Sequence, residues 1–163
     1  MDRIDELEAR LQHLEDERDI RQLIAAYGPL ADAGAATEVA ALWTSDGVYD
    51  VDEVYLEGQD QLAAMVLSKP HQSWIEAGCA HVVGPVHVTI DGDRAVAVGH
   101  SLMVVQQDGR FVVRRATANH WVLVRTSAGW RASRRTNRVL DGRDESPALL
   151  AAGVRGEKAS LHD

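Results

Sequence analysis

The sequence predicts an α+β fold in which helices pack against a strongly curved antiparallel sheet. In the first half of the chain, apolar residues recur every three or four positions, which is typical of amphipathic helices. From His81 onward, apolar and polar residues alternate in long segments that end at tight turns such as Asp91-Gly92-Asp93 and Asp108-Gly109. A curved sheet wrapped around helices forms a cone, and the open end of a cone is the natural position of a ligand cavity.

Length and composition indicate one globular domain. The chain has 163 residues and a net charge of -8, and this acidic balance argues against a nucleic-acid surface. Its single cysteine, Cys79, excludes an intramolecular disulfide and a cysteine metal cluster. The charged N-terminus and the lack of an apolar run of about 18 residues predict a cytoplasmic protein with no signal peptide and no membrane span. We expect a domain over residues 1–141, with a helical extension over 1–15, and a loosely ordered tail over 142–163.

The N-terminal helix carries two successive apolar stripes. The first lasts two heptads and is flanked by charged residues; it consists of Ile4, Leu7, Leu11 and Leu14. This stripe packs either on its own domain or on a partner subunit. Because one face of the sheet also needs a cover, we predict a homodimer or a higher homo-oligomer. The second stripe belongs to the core and consists of Ile20, Leu23, Ile24 and Tyr27.

Gly, Pro and capping residues predict the boundaries of the shorter elements. Gly28-Pro29 and Ala33-Gly34 are expected to loosen and end the first helix. Thr37 is a suitable N-cap for a short helix. The further predicted elements are a helix over 37–43, an extended segment over 48–56, a helix over 59–68, an irregular segment over 69–80, strands between 81 and 140, and a short helix over 147–152.

Four polar residues stand in otherwise apolar elements and are the candidate catalytic groups. Tyr27 and Asp32 lie at the end of the first helix, His81 opens a strand, and Arg135 lies on the last strand. They supply a phenol, a carboxylate, a proton acceptor and a cation, which together suit proton removal from carbon and stabilisation of the resulting negative charge. Each also has a plain structural interpretation: a core tyrosine, an exposed helix-end aspartate, and surface residues of the sheet.

The apolar and polar residues that alternate after His81 predict that this residue faces away from the interior. His81 has the same parity as His87, whereas Val86, Val88 and Ile90 form the apolar set. A regular strand would therefore place His81 on the polar face. Gly84-Pro85 can interrupt the ladder and reverse the parity, and an inward His81 requires such an irregularity.

Other residues are candidates for lining the cavity. Tyr49 is a second phenol. Trp43 and Trp121 either line the cavity or pack in the core. His100 lies within an apolar stripe of its strand, as a core residue or as a second polar group of the pocket. Asn119 and His120 are adjacent on one strand, so a regular strand lets only one of them face the interior.

The chain resembles the SnoaL-like branch of the cone fold that is named after nuclear transport factor 2. The resemblance covers roughly residues 12–141 and rests on Leu14-Glu15-Asp16, Ile24-Ala25-Ala26-Tyr27, Ala31-Asp32, Leu42-Trp43-Thr44, Asp46-Gly47-Val48-Tyr49, Glu57-Gly58, Ala80-His81, Gly84-Pro85, Ile90-Asp91-Gly92-Asp93-Arg94-Ala95, Leu123-Val124-Arg125 and Gly129-Trp130-Arg131.

The site is similar to those of scytalone dehydratase, bile-acid 7α-dehydratase and hexachlorocyclohexane dehydrochlorinase. The resemblance implies a His–Asp pair at His81 and Asp32. It also matches Tyr27 to a tyrosine of the bile-acid enzyme, Arg135 to an arginine of the dehydrochlorinase, and Asn119 to an asparagine of scytalone dehydratase. The second histidine of scytalone dehydratase falls on Gln106, which is a departure from that pattern.

These observations predict a cofactor-independent lyase, similar to a dehydratase, or an isomerase. The expected substrate is a small hydrophobic ring compound such as a polyketide or a steroid, and His81 and Asp32 would provide general acid-base catalysis. No metal site is expected, because His and carboxylate residues with ligand spacing on one helix are missing from the sequence. The competing hypothesis is a non-catalytic module of the same fold that binds a ligand or supports assembly, as small subunits of ring-hydroxylating dioxygenases do.

Overall fold

A computed structural model describes residues 2–159 and divides them into five helices and six strands. The helices are α1 (Arg3–Asp32), α2 (Ala36–Ala40), α3 (Gln59–Leu67), α4 (Lys69–Ala77) and α5 (Glu145–Val154). The strands are β1 (Trp43–Val51), β2 (Val54–Glu57), β3 (Cys79–Asp91), β4 (Arg94–Gln107), β5 (Arg110–Thr126) and β6 (Gly129–Val139).

The six strands form one curved, unclosed sheet in the order β2-β1-β6-β5-β4-β3. Strands β3 to β6 follow one another as an antiparallel meander, as the sequence predicted. The exception is β1, which pairs with β6 in parallel while β2 folds back on it in the antiparallel sense. The α+β class predicted from the sequence is confirmed.

Helix α1 spans the whole N-terminal region and supplies one wall of the core. Its inner face buries Ile20, Ile24 and Tyr27 against a core that includes Trp43 and Trp121. The predicted end at Ala33-Gly34 is confirmed, since the helix ends at Asp32 with Ala33 as its C-cap, but Gly28-Pro29 does not interrupt it. The proline removes one backbone donor, but burial on both sides of it holds the turn in place.

Strand β4 turns its small side chains toward the interior. Ala95 and Ala97 belong to the core, whereas Val98 faces the other side, where Gly153 of α5 lies so close that a Cβ would overlap the valine side chain. His100 shares the parity of Val98 and is exposed on that outer face. Both positions expected for His100, in the core and in the pocket, are therefore wrong, and the interior beside β4 is filled by aromatic side chains from other elements.

Two other segments differ from the prediction. The segment expected to be irregular forms α4, where Ser68 caps the helix by accepting the backbone N–H of His71 and Pro70 lies in the first turn. The predicted N-cap Thr37 lies inside α2, whose N-cap is Ala35. In the predicted tail, α5 packs on the outer face of the sheet and buries Leu149; residues 160–163 lie outside the described residues. No helix within residues 2–159 is long and apolar enough to cross a membrane.

Candidate active site

His81 and Asp32 form a hydrogen-bonded pair at the wall of the cone. Nδ1 of the His81 ring lies 2.6 Å from Oδ1 of Asp32. The second carboxylate oxygen accepts the backbone N–H of His81 at 2.8 Å, so Asp32 fixes both the ring and the strand that carries it. Because a carboxylate only accepts, Nδ1 carries the ring proton and Nε2 has a free lone pair. The two side chains are 21% and 24% exposed, so a ligand in the cavity can reach the ring.

A bulge in β3 gives His81 its inward position. Val83 pairs with Ser101 and Val86 pairs with Gly99, so three steps along β3 correspond to two along β4. The extra residue falls at Gly84-Pro85 and reverses the alternation, as the sequence required for an inward His81. Both His81 before the bulge and Val86 after it therefore face the interior.

Gly28 lets α1 approach this strand. A Cβ on Gly28 would overlap the backbone carbonyl oxygen of His81. The helix and the strand touch through their backbones here, which brings Asp32, one turn later, within reach of the histidine ring. Sequence reasoning treated this glycine as a helix breaker and missed its packing role.

Cys79 is a further hydrogen-bond donor to Asp32. Its Sγ lies 3.6 Å from Oδ1 of Asp32. Burial, together with the charge of Asp32, raises the pKa of the Cys79 thiol to about 11, so it stays protonated at neutral pH and donates to the carboxylate. The sulfur is thus a neutral hydrogen-bond donor and not a nucleophile.

Asp32, Cys79 and His81 are also the side chains that could hold a metal ion, since their ligand atoms lie within 4.8 Å of one another. Two features oppose this use. The Nδ1 and Oδ1 atoms already share a proton in a short hydrogen bond, and the raised pKa of Cys79 disfavours the thiolate that a metal would need.

His71 is a residue of the site that the sequence did not predict. It is buried on α4, and its Nε2 lies 3.0 Å from the carbonyl oxygen of Ala31, so this nitrogen carries the proton. Its ring stacks on the His81 ring, with centroids 5.7 Å apart. The contact places a second imidazole ring, held by α1, beside the His81 ring. A capping serine followed by Lys-Pro was the sequence signal for the helix that carries His71.

Two phenols and one guanidinium form the polar floor of the cavity. The hydroxyls of Tyr27 and Tyr49 lie 3.2 Å apart. The Arg135 guanidinium lies 4.3 Å from the centre of the Tyr27 ring and 5.3 Å from that of Tyr49. Burial raises the pKa of Tyr49, and the neighbouring Tyr27 adds to the effect, so this phenol remains a proton donor.

Asn119 holds Arg135 in place. Its Oδ1 accepts from Nε and Nη2 of Arg135, at 3.0 and 2.7 Å. Asn137 donates to the same oxygen at 2.9 Å. The third guanidinium nitrogen, Nη1, is buried and has no hydrogen-bond partner within residues 2–159. Among the described residues, Arg135 is thus a buried cation whose Nη1 has no hydrogen-bond partner and which forms no ion pair with a carboxylate.

These groups surround a cavity of about 390 Å³ at the open end of the cone. Its polar lining comprises Ser68, His71, His81, Tyr27, Tyr49, Ser101, Arg115, Thr117, Arg135 and Asn137. Val51, Met65, Val83 and Trp74 are among its apolar lining residues. The volume and mixed lining suit a small, largely apolar molecule with one or two polar groups.

The other predicted site residues lie away from the cavity wall. Trp43 and Trp121 are fully buried beneath Tyr27, with ring centroids 5.8 and 6.1 Å from it, and pack in the core. Asn119 faces the interior but contacts Arg135 behind the wall. His120 faces the opposite side, where its Nε2 donates to the carbonyl oxygen of Glu157 at 2.8 Å. His100, exposed on the outer face, does not meet the expectation that it lines the pocket.

The family was identified by comparison with known proteins. The profile of the SnoaL-like domain matches residues 12–136. The chain belongs to the SnoaL-like domain family. Among curated proteins, none matches this chain. The family and its wider fold cover both enzymes and ligand-binding modules.

Solved structures agree with this family. An NTF2-like protein with a cystatin-like fold from Novosphingobium aromaticivorans is 45% identical, with a TM-score of 0.90 over 92% of this chain and 98% of that one. The function-unknown protein Rv3472 from Mycobacterium tuberculosis is 17% identical, with a TM-score of 0.70 over 100% and 99% of the two chains. A Catenulispora acidiphila protein in complex with S-DNPA is 18% identical, with a TM-score of 0.66 over 76% and 92%. The last two show the fold alone.

Proposed function

We propose that this protein is a cofactor-independent lyase or isomerase that removes a proton from carbon next to a carbonyl group of a small hydrophobic ring compound. The observation that carries the proposal is the 2.6 Å hydrogen bond between Nδ1 of His81 and Asp32 at the wall of a cavity. It leaves Nε2 of His81 as an unprotonated base beside the ligand space. A histidine that only stabilised the fold would not need a partly exposed ring at a cavity wall.

The first step is proton transfer from the substrate carbon to Nε2 of His81. The ring becomes an imidazolium, and the Asp32 carboxylate stabilises its charge. The electron pair of the broken C–H bond moves toward the carbonyl oxygen and forms an enolate. In an elimination, this pair then expels a hydroxyl group, which takes the proton from His81 and leaves as water. In an isomerisation, His81 returns the proton to a different carbon.

The enolate oxygen needs donors, and the floor of the cavity supplies them. The hydroxyls of Tyr27 and Tyr49 are close enough to bind one oxygen together. Arg135 lies against both rings, and its positive charge favours electron density on the bound oxygen. Asn119 keeps the guanidinium there without neutralising it, because an amide oxygen carries no net charge.

The cavity supports a small substrate with an apolar ring system. Its volume of about 390 Å³ lies near the lower end of the usual range for small-molecule sites. The S-DNPA complex of the Catenulispora acidiphila protein supports the use of this fold as a small-molecule site. Polyketide or steroid fragments with a ring ketone fit the combination of an apolar lining and one polar floor.

The proposal can be tested before the natural substrate is known. A panel of cyclic ketones is incubated with the protein in D₂O, and exchange of the protons next to the carbonyl is followed by NMR. We expect exchange that is lost in His81→Gln and retained in His87→Gln, a matched variant of an exposed histidine on the same strand. Equal exchange in both variants would contradict the catalytic proposal. Binding without exchange would favour the ligand-binding module.

The same assay tests for a metal. Treatment with a chelator should leave exchange unchanged, because the proposed base is activated by Asp32 and not by a metal ion. Loss of exchange on chelation, with recovery on addition of zinc, would instead assign Asp32, Cys79 and His81 to a metal centre.

A further inference from the structure

The N-terminal part of α1 projects from the domain and exposes its apolar stripe. Every residue from Asp2 to Leu14 is exposed, and the first buried residue of the helix is Asp16. The large apolar side chains of the stripe are 61%, 53%, 57% and 62% exposed at Ile4, Leu7, Leu11 and Leu14. Nothing else within residues 2–159 covers them. A contiguous apolar stripe on a projecting helix is typical of an interaction surface.

The spacing of the stripe suits a two-stranded coiled coil. Ile4 and Leu11 occupy successive a positions, and Leu7 and Leu14 occupy successive d positions. Isoleucine at the first a position with leucine at the d positions is the combination that favours two strands, and Leu11 at the second a position does not add to this preference. The segment from residue 3 to residue 15 is about 20 Å long, which allows two heptads of contact.

The charges beside the stripe determine the orientation of the partner. The g positions next to the stripe hold Arg3 and Arg10, and the e positions hold Glu8 and Glu15. In a parallel pair each g residue faces the e residue of the next heptad on the other chain, so arginine meets glutamate at every contact. In an antiparallel pair g faces g and e faces e, so like charges meet. The side-chain ion pairs that α1 makes within residues 2–159 begin at Asp16, which leaves these four charges available.

We infer that the stripe binds a second copy of this chain as a parallel, in-register coiled coil over residues 3–15. In that arrangement Arg3 contacts Glu8 of the partner subunit, and Arg10 contacts Glu15 of the partner subunit. The self-complementary charge pattern selects an identical chain, because a partner with another pattern would leave unpaired or opposing charges.

The first test measures the oligomeric state. Sedimentation of the full chain at about 10 µM should give a dimer, and Leu7→Glu with Leu11→Glu should weaken self-association at least tenfold. The matched control is Phe111→Gln with Val113→Gln, which changes two residues that are 77% and 58% exposed on the sheet and should leave the dimer intact. Circular dichroism checks that the domain stays folded, as expected for changes at exposed positions. A monomeric wild type, or a dimer that only the sheet variant dissociates, would overturn the inference.

The second test addresses orientation. A variant with Arg3→Glu, Glu8→Arg, Arg10→Glu and Glu15→Arg keeps opposite charges across a parallel pair of its own copies. It should therefore form homodimers but exclude the wild-type chain, since mixed parallel pairs place like charges together. Because the four exchanges leave the mass of the chain unchanged, the variant is labelled with ¹⁵N before mixing, and native mass spectrometry should then show two homodimers and less than a tenth of the statistical share of mixed dimers. Mixed dimers at or above the statistical share would overturn the parallel arrangement.

Discussion

Helix α1 presents two carboxylates to the domain, and their partners give them different roles. Asp16 binds the guanidinium of Arg125 through both oxygens, at 2.7 and 2.6 Å, and also accepts from the indole of Trp130 at 3.0 Å. Asp32 binds a histidine ring, a backbone N–H and a thiol. Arginine keeps its proton at any accessible pH, whereas histidine exchanges one near neutrality. The first pair can therefore only anchor the helix, and the second can support proton transfer.

The largest expected effect is on turnover, which should fall when Asp32 is replaced but not when Asp16 is replaced. Asp32→Asn should lower turnover by roughly 10²–10⁴, because the histidine loses its tautomer preference and the stabilisation of its charged form. Asp16→Asn should leave the turnover of each folded molecule unchanged. Steady-state kinetics normalised to the folded fraction measures both. Equal losses of turnover would mean that the two carboxylates do not differ in role.

In stability, the order is reversed: Asp16→Asn should lower the free energy of unfolding more than Asp32→Asn does. Asp16→Asn should lower the free energy of unfolding by roughly 1–2 kcal/mol, since it removes the charged partner of the indole and of two Arg125 nitrogens, although Asp93 still pairs with Nε and Arg125 is a third exposed. Asp32→Asn should cost less, because the amide oxygen can still accept the backbone N–H of His81. Urea denaturation at neutral pH compares the two variants.

The pH dependence of the free energy of unfolding also tests the anchoring role of Asp16. The hydrogen bonds of Arg125 lower the pKa of Asp16 from 3.8 to about 2. Because the folded value lies below the unfolded one, this stabilisation is present above pH 4 and is lost as the pH falls toward 2. The free energy of unfolding of the wild type should therefore decrease over this range more steeply than that of Asp16→Asn. Parallel slopes from urea denaturation at pH 2 to 5 would contradict this assignment.

A third substitution tests the close contact between α1 and β3. Replacing glycine by alanine inside a helix normally gains up to about 1 kcal/mol. At Gly28 the added Cβ overlaps the carbonyl of His81, so we expect Gly28→Ala to destabilise the fold by about 1–3 kcal/mol and to displace His81 from Asp32. Ala25→Ser, on the exposed side of the same helix, is the control. A gain in stability from Gly28→Ala would show that the backbones are not in contact.

The smallest expected effect concerns the phenols. Tyr27→Phe should lower turnover about tenfold, because Tyr49 remains to donate to the enolate oxygen while one of two donors is lost. Tyr55→Phe, an exposed tyrosine on β2, should have no effect. The rate of proton exchange from the best ketone of the panel measures both changes. No change in Tyr27→Phe would remove this residue from the proposed oxyanion site.

Local patterns predicted the fold well, but positions set by contacts between distant segments were harder to predict. The meander followed from alternation and tight turns, whereas alternation opposed an inward His81 and indicated only that such a position would require an irregularity at Gly84-Pro85. His100 was misplaced because alternation gives two faces of β4 without saying which one is covered by the helices. The pairing of His81 with Asp32 came from family resemblance, since no local pattern links residues that are 49 positions apart.

The roles of Asp16 and His71 could not be predicted from the sequence. Asp16 stood in a run of charged residues, and only the fold brings Arg125, which is 109 positions away, to it. His71 was hidden in a segment interpreted as irregular, although Ser68 and Pro70 are suitable residues for a helix start. In both cases the function of the side chain depends on long-range packing, which periodicity does not report.

The protonation state of the His81 ring tests the central claim most directly. Long-range ¹H–¹⁵N NMR on protein labelled at histidine distinguishes the two neutral tautomers at a pH above the histidine titration. We predict that His81 carries its proton on Nδ1, in a strongly downfield signal, and that Asp32→Asn shifts or removes this signal while Asp16→Asn leaves it unchanged. A proton on Nε2 in the wild type, or a spectrum insensitive to Asp32→Asn, would contradict a base that is oriented by Asp32.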